Sequence, residues 1–492
     1  MHPADLSATE ARRLLATRAL SSTELVAACI QRIEAVDGAL NAMVTRAFER
    51  ALDEAAERDR AAAHSAGRGN DLGALHGLPV AIKDIQDTAG IATTCGSPAL
   101  AHHVPDRDAG IVARIRAAGG IIIGKTNVPE HSIGANTINP LFGPTGNPFA
   151  PQLTCGGSSG GSAVAVATGM APLATGSDHG GSLRIPACFS GVVGYRATPG
   201  MVPNEQRSMA QTFYSLQGPM ARTVADAALL LSVIAARNTR APRDPMAFPL
   251  DAAGLATLPA RDLSRLRVGF TPDLGGVRVS RNVRATFAAR IARISRLVGR
   301  CEPVAIDLTA APGIDWHLRQ DVFMAQWGGR PELDDPDLNP NIRATHAAAA
   351  AAPMATIALA RRQQMALYQT FAALFDDIDL LVCPGVSVAP FPWTSLNPES
   401  IDGEPVTNYM AWLALTAALT VVGHPVVALP CGRDPDGLPF GVQVVGPAYG
   451  DHDLLAAAQA LELAFAADPE LARPVPDLGR LGGQPQLRRR AT

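Results

Sequence analysis

Residues 154–187 read TCGGSSGGSAVAVATGMAPLATGSDHGGSLRIPA, and this stretch holds two glycine-rich turns, each built around a serine. Gly156, Gly157, Gly160 and Gly161 surround Ser158 and Ser159, while Gly180 and Gly181 precede Ser182. One helix-length run and one strand-length run separate the turns. Paired glycines open backbone conformations closed to other residues and let N–H groups approach a ligand closely. A hydroxyl on such a loop points to a nucleophile beside a ready-made oxyanion hole. Gly-Ser runs are also ordinary flexible turns, but apolar, element-like flanks predict that these two are buried and ordered.

The basic residues give a second clue. Lys83 and Lys125 are the only lysines, so every other basic residue among the 42 is arginine. A coding bias toward G and C accounts for much of that skew and carries no function. The surviving lysines still matter, because a buried lysine can become a neutral base and an arginine cannot. Both end apolar strand-like runs, LPVAIK and GIIIGK.

With 492 residues the chain can bury a large core. It is 47% hydrophobic and 18% charged with a net charge of -3, the composition of a soluble globular protein. Neither a nucleic-acid-binding nor a membrane surface is indicated. Arg488, Arg489 and Arg490 form the one basic cluster, in a Pro-, Gly- and Arg-rich end that reads as a solvated tail. Seven scattered cysteines without metal spacing, and no signal-peptide pattern at the start, predict reduced thiols in a cytoplasm, with no metal and no cofactor. Cys155 and Cys188 flank the serine turns and read as small buried hydrophobes. The apolar run Met410–Cys431 is long enough to span a membrane, but Gly423-His424-Pro425 breaks it; a buried helix, a turn and a buried strand are predicted.

Helical pattern fills the N-terminal portion to about His64, opened by the capping-box patterns Ser7-x-x-Glu10 and Ser21-x-x-Glu24, and a Gly/Asn loop follows. From Asp108 onward, helix and strand candidates alternate. The centre, about 270–375, reads as more helical, and the end returns to the strands DLLVCP, VVALP and FGVQVVG before a helix. Alternation with strands apolar on both faces argues an α/β sheet covered by helices.

Three motif interpretations compete. Gly119–Thr126 matches the P-loop pattern literally, yet three isoleucines occupy the middle where a bare phosphate-wrapping loop is needed, and Asn127-Val128-Pro129 follows instead of a helix. G-x-S-x-G frames centred on Ser158 and Ser159 fit the nucleophile elbow of an α/β-hydrolase. The preceding PFAPQLTC is a poor strand, however, and the Ser182 turn is left unexplained. The third takes Lys83, Ser158 and Ser182 as one constellation.

That constellation resembles the amidase signature family. GLPVAIKDIQDTAG (77–90), GGIIIGKTNVPE (119–130), GPTGNPFAPQLTCGGSSGGSA (143–163), GSDHGGSLRIPACFSGVVGYRAT (176–198), GPMARTVADAALLL (218–231) and GLPFGVQVVGP (437–447) are all similar to its blocks. The resemblance implies Ser182 as nucleophile, Ser158 as the bridge to Lys83 as base, and a cis Gly157–Ser158 peptide. It implies an α/β fold, a mixed central β-sheet sandwiched between helical layers. One amidase domain then spans 1–475: N-terminal helices 5–66, a catalytic core about 70–235, a helical variable region about 270–375, and closing strands and helix 376–467, with 476–492 a flexible tail.

Backbone N–H groups of His179, Gly180, Gly181 and Ser182 are the implied oxyanion donors. Ser159, Asp178 and Arg184 are supporting residues: Ser159 orients the loop, and the other two form a structural ion pair. Lys125 is structural. His179 departs from the uncharged residue usual in the family; its imidazole either meets substrate and adds a second pH dependence or faces solvent. The implied chemistry is acyl transfer to water from a small-molecule amide, with carbamates, esters and the glutamine-hydrolysing subunit of a transfer-RNA amidotransferase as alternatives. That last needs partner subunits and a pocket charged for a zwitterion; otherwise a homodimer is the one assembly left open. Trp316, Phe323, Trp327, Phe391 and Trp393 are candidates for an apolar pocket wall, with core packing an equal alternative for each, and the expected substrate is apolar or aromatic.

Overall fold

The computed structural model describes residues 2–65, 72–235, 243–406 and 408–487. Most of the Gly/Asn loop expected after His64, and the Arg488–Arg490 cluster, lie outside the described residues.

Eleven strands form one mixed sheet. In chain order they are β1 (Met43–Arg46), β2 (Pro79–Lys83), β3 (Ile121–Thr126), β4 (Leu173–Asp178), β5 (Val193–Arg196), β6 (Leu216–Ala221), β7 (Arg267–Phe270), β8 (Arg300–Pro303), β9 (Leu380–Pro384), β10 (Val426–Arg433) and β11 (Pro439–Val445). Across the sheet the order is β1-β3-β2-β4-β6-β5-β10-β11-β9-β7-β8. β2 runs parallel to both β3 and β4, and β7 runs parallel to β8 and β9; the remaining neighbours are antiparallel. β2 and β3 are buried at every position, as strands with both faces covered must be.

Helices cover this sheet. The ones that matter below are α1 (Ala8–Ala16), α2 (Ser22–Val36), α3 (Phe48–Ser65), α4 (Gly110–Ala117), α5 (Gly160–Ala167), α6 (Arg184–Ser190), α7 (Val224–Ile234), α8 (Arg281–Ile294), α9 (Ala311–Trp327), α10 (Pro340–Ala350), α11 (Met354–Ala373), α12 (Ala414–Val421), α13 (Asp451–Ala466) and α14 (Leu478–Gly482). Every residue of α5 is buried, because its glycines let it lie against backbone: a Cβ on Gly161 would stand 2.4 Å from the Asn127 nitrogen. Ser21 and Glu24 complete a reciprocal capping box. Ser7 caps α1 through the Glu10 N–H, but the Glu10 carboxylate turns instead to Arg13.

Two local predictions need correction. The N-terminal run is not wholly helical: β1 interrupts it and pairs with the edge of β3. Four residues between two strong helices carry too short a period to register, and their ladder partners lie about 80 residues away. Likewise β7 and β8 add parallel strands in and beside the region read as helical. Met410–Cys431 divides as expected, into a 3-10 turn, α12, a turn and β10. No helix among the described residues is long and apolar enough to cross a membrane. Of the stretch expected as a flexible tail, Leu478–Gly482 is helical and packs on α2, and the Leu487 N–H donates to the Gly38 carbonyl.

His424, in the turn before β10, is buried among Tyr368, Phe371 and Phe375, and its Nδ1–H donates to the Val422 carbonyl at 2.7 Å. Burial pushes its pKa down to about 4. His131 is pushed to about 4 as well, by burial and then by Arg330. The unfolded chain therefore binds protons at these sites over a range where the folded chain does not. The stability they contribute is intact above 6.5 and is lost as pH falls toward about 4. Thermal melts at falling pH should show Tm declining through this window, with a shallower decline in His424→Phe; equal slopes would remove His424 from the account.

Candidate active site

Lys83 ends β2, and its amine is fully buried. The Nζ donates to three hydroxyls: Ser158 at 2.7 Å, Ser159 at 2.9 Å and Ser177 at 2.8 Å. Burial lowers its pKa well below the usual lysine value, and the more distant Asp178 only partly opposes this. Hydroxyls both donate and accept, so this cluster can satisfy either protonation state of the amine. The Ser159 hydroxyl donates to the Ser177 carbonyl at 3.2 Å and accepts from Lys83 and from the Ser177 N–H. Its own proton is thus held by a backbone carbonyl, whereas Ser158 lines the cavity described below.

Ser158 follows a cis Gly157–Ser158 peptide at the start of α5. Ser182 sits in the turn from β4 to α6, and its carbonyl accepts from the Ser159 N–H at 3.2 Å, tying the two serine turns together. Both Ser158 and Ser182 line one cavity of about 330 Å³.

The Ser182 turn is shaped by Asp178, at the end of β4. Its carboxylate accepts from the N–H groups of Gly181 (2.9 Å) and Leu183 (3.1 Å), from Arg184 through both Nε and Nη2 at 3.0 Å, and from Arg196 at 3.1 Å. Burial alone would raise this carboxyl, but Arg184 and Arg196 hold it well below the usual carboxylate range. Gly181 (φ +128°) has Thr416 Oγ1 only 2.4 Å from where a Cβ would stand. The Gly181 N–H, one of the four expected oxyanion donors, is committed to Asp178 in this structure. Arg184 directs all five of its N–H donors to acceptors: two to Asp178, and the others to the Thr416 carbonyl, Gln443 and Thr420.

His179 is not solvent-facing. Its ring stacks on Tyr214 (centroids 4.6 Å), Nδ1 lies 3.0 Å from the Ser215 hydroxyl, and Nε2 is buried without a partner at the cavity wall. Burial, with Arg319 and Arg196 nearby, pushes its pKa well below that of an ordinary histidine, so the imidazole is neutral. Lys125 stands apart from the cavity. It donates to the Gln86 carbonyl (2.6 Å), Thr93 (2.7 Å) and Thr88 (3.1 Å) and pairs with Asp84 at 3.7 Å. Burial takes it down to about 8.

The cavity wall differs from the apolar one expected. Of the five aromatic candidates only Phe323 lines it. Trp327 packs against Phe323, Leu338 and Ile342, Trp316 joins the main core, Phe391 stacks edge-on against Trp412, and Trp393 donates to the Pro151 carbonyl. Glutamines, serines, histidines and the guanidiniums of Arg319 and Arg330 share the wall with Ile85, Leu100, Ile133, Ile185 and Leu413. Sequence reasoning misses Arg319, Arg196 and Ser177. Arg196 lies inside the GYRAT block, which offered a signal for it; Arg319 carries no local signal, since it reaches the site from mid-helix, far along the chain.

A family model described as Amidase matches residues 24–311 and 329–455. The chain is 34% identical over 498 residues to a glutamyl-tRNA(Gln) amidotransferase subunit from Moorella thermoacetica, covering 96% of this chain and 99% of the relative. It is 32% identical over 481 residues to an acylamidase of Rhodococcus erythropolis, covering 96% of each. Among solved structures, a bacterial aryl acylamidase of the amidase signature enzymes superposes with a TM-score of 0.85 at 27% identity, covering 98% of this chain and 99% of that one.

Proposed function

The chain belongs to the amidase signature family, and from that premise we propose that it is a serine hydrolase cleaving the C–N bond of a small amide through Ser182, Ser158 and Lys83. The observation that carries this is the Lys83 amine, fully buried and in hydrogen-bond contact with hydroxyls but with no carboxylate among the described residues. Burial disfavours the charged form of an amine so placed and makes it available as a base. Ser182 Oγ attacks the amide carbon while its proton passes through the Ser158 hydroxyl to Lys83. N–H groups of the His179–Ser182 turn, with Gly181 bound to Asp178, stabilise the oxyanion. Lys83 returns the proton through Ser158 to the departing nitrogen, the C–N bond breaks, and water then releases the acyl group as a carboxylic acid.

Asp178, Arg184 and Arg196 position the turn and touch no reacting atom. The cavity wall mixes polar side chains with Ile85, Leu100, Ile133, Ile185, Phe323 and Leu413, so it accommodates the apolar or aromatic amide expected as well as a polar one. The same relay could cleave carbamates or esters. Amine or alcohol release from a primary amide, an anilide, a carbamate and an ester sharing one acyl group, each run beside Ser182→Ala, tests the proposal and ranks these classes. Substantial turnover by a folded Ser182→Ala would overturn it.

A pH profile gives a separate check. The base works only when unprotonated, so kcat/KM rises with pH as Lys83 loses its proton. Because burial lowers that pKa, the plateau is reached well below 10.5, the ordinary lysine value. His179 stays neutral throughout, so no imidazole limb is expected near 6.5. A profile still climbing at 10.5 would rule out Lys83 as the base.

A further inference from the structure

Arg319 projects from α9 into the wall of the Ser182 cavity and is 5% exposed. Its Nη1 donates to the Tyr409 hydroxyl at 3.1 Å. Asp315, one turn earlier, comes only to 3.7 Å of Nε, and Nε has no hydrogen-bond partner. One Asp315 oxygen is already taken by the Tyr214 hydroxyl at 2.8 Å. Nη2 lies 2.8 Å from where a Cβ on Gly180 would stand. Gly180 is therefore the residue that lets a guanidinium lie against the nucleophile's own turn, two residues from Ser182.

Other buried polar atoms around the cavity also lack partners: Gln86 Nε2, His179 Nε2 and Gln217 Oε1. A buried polar atom left unpaired is destabilising, and a ligand that pairs it removes that penalty. The charges around it are unbalanced. Asp178 is shared between Arg184 and Arg196, Asp315 stands beside Arg319, and Arg330 lies at the cavity's rim. Arg319 and Arg330 line the cavity, and no aspartate or glutamate among the described residues does. A low-dielectric cleft with one sign of excess charge concentrates ligands of the other sign.

We propose that the cavity selects amides bearing a carboxylate and no ammonium group, with Arg319 as the carboxylate anchor. Planar, forked guanidinium donors match a carboxylate, and Arg319 retains N–H capacity for one. An amino-acid zwitterion would need an acid for its ammonium group, and the lining has none. This inference rests on the amide-hydrolase reading above.

The test compares kcat/KM of the intact protein for succinate monoamide (carboxylate on the acyl side), N-butyrylglycine (carboxylate on the amine side), butyramide and glutamine. One of the two acids should exceed butyramide by about 10- to 100-fold, the worth of a charge-assisted hydrogen bond or two. Arg319→Met should collapse that ratio toward one, and Arg319→Lys should restore part of it. Succinate should inhibit far better than butyrate, and less so at high salt. Butyramide or glutamine leading the series, or an unchanged ratio in Arg319→Met, would overturn the proposal. If the variants do not fold, the inhibition comparison decides alone, with equal inhibition by succinate and butyrate counting against the anchor. Ser182-dependent hydrolysis with butyramide preferred defeats only this inference. Tight succinate binding, measured by calorimetry, with no hydrolysis of any amide supports the anchor and defeats the reaction.

Discussion

Ser182→Ala lowers kcat on the best amide by on the order of ten-thousand-fold or more while leaving the fold intact, and Lys83→Ala does the same. The reason is that both act in one proton path. Without the Ser182 Oγ there is no acyl-enzyme; without the buried amine the serine hydroxyl has no base, since His179 is turned onto Ser215 and Tyr214 and Asp178 is fully engaged by two arginines and two backbone N–H groups. Groups that act as a unit are not additive, so the double variant should be no worse than the single ones. Steady-state kinetics on the three variants, with circular dichroism to establish folding, checks this. Lys83→Ala also strips an amine from three hydroxyls, so a modest loss of Tm is expected there and not in Ser182→Ala. Independent, multiplying losses would mean that the two residues serve different steps.

Asp178→Asn should cost about 3–5 kcal/mol of stability, the range for removing one partner of a buried ion pair. The carboxylate, Arg184 and Arg196 are all without exposure. Removing the negative charge leaves two guanidiniums facing each other in a dry interior. It also leaves the Gly181 and Leu183 N–H groups with at most one acceptor oxygen between them, since an amide turns a donor toward one side. Urea unfolding of the variant at neutral pH measures the loss directly. Activity should fall as well, because the turn carrying Ser182 is held by those two N–H bonds. A loss below about 1 kcal/mol would mean that the arginines are satisfied elsewhere; for Arg184, with Thr416, Thr420 and Gln443 as further acceptors, that is the outcome to watch.

Much of the site is legible in the sequence because its signals are local. Gly-Gly-Ser turns, a lysine closing an apolar strand and the short helix after the first turn all occupy contiguous stretches, and each stretch takes the element its pattern predicts. Where local pattern is weak, sequence and structure part. β1 is four residues long, and β7 and β8 carry mixed burial, so no period of two stands out. The aromatic wall fails for a different reason. Hydrophobicity says that Trp316 or Trp393 is covered by something, and core packing covers it as well as a ligand does.

The sequence by itself determined the chemistry available: two serine turns made permissive by glycine, two lysines able to shed their charge, and alternating helices and strands that must stack as a covered sheet. These follow from bonds between residues near each other in the chain. Only the tertiary structure decided which charges meet. Asp178 finds Arg184 six residues on and Arg196 across the sheet, while Arg319 reaches Gly180 from a helix about 140 residues away. Electrostatic partnership depends on distances of a few ångströms set by strand order and helix packing. No local pattern encodes those distances, so the polarity of the cavity, and with it the substrate class it favours, emerges only when the chain is folded.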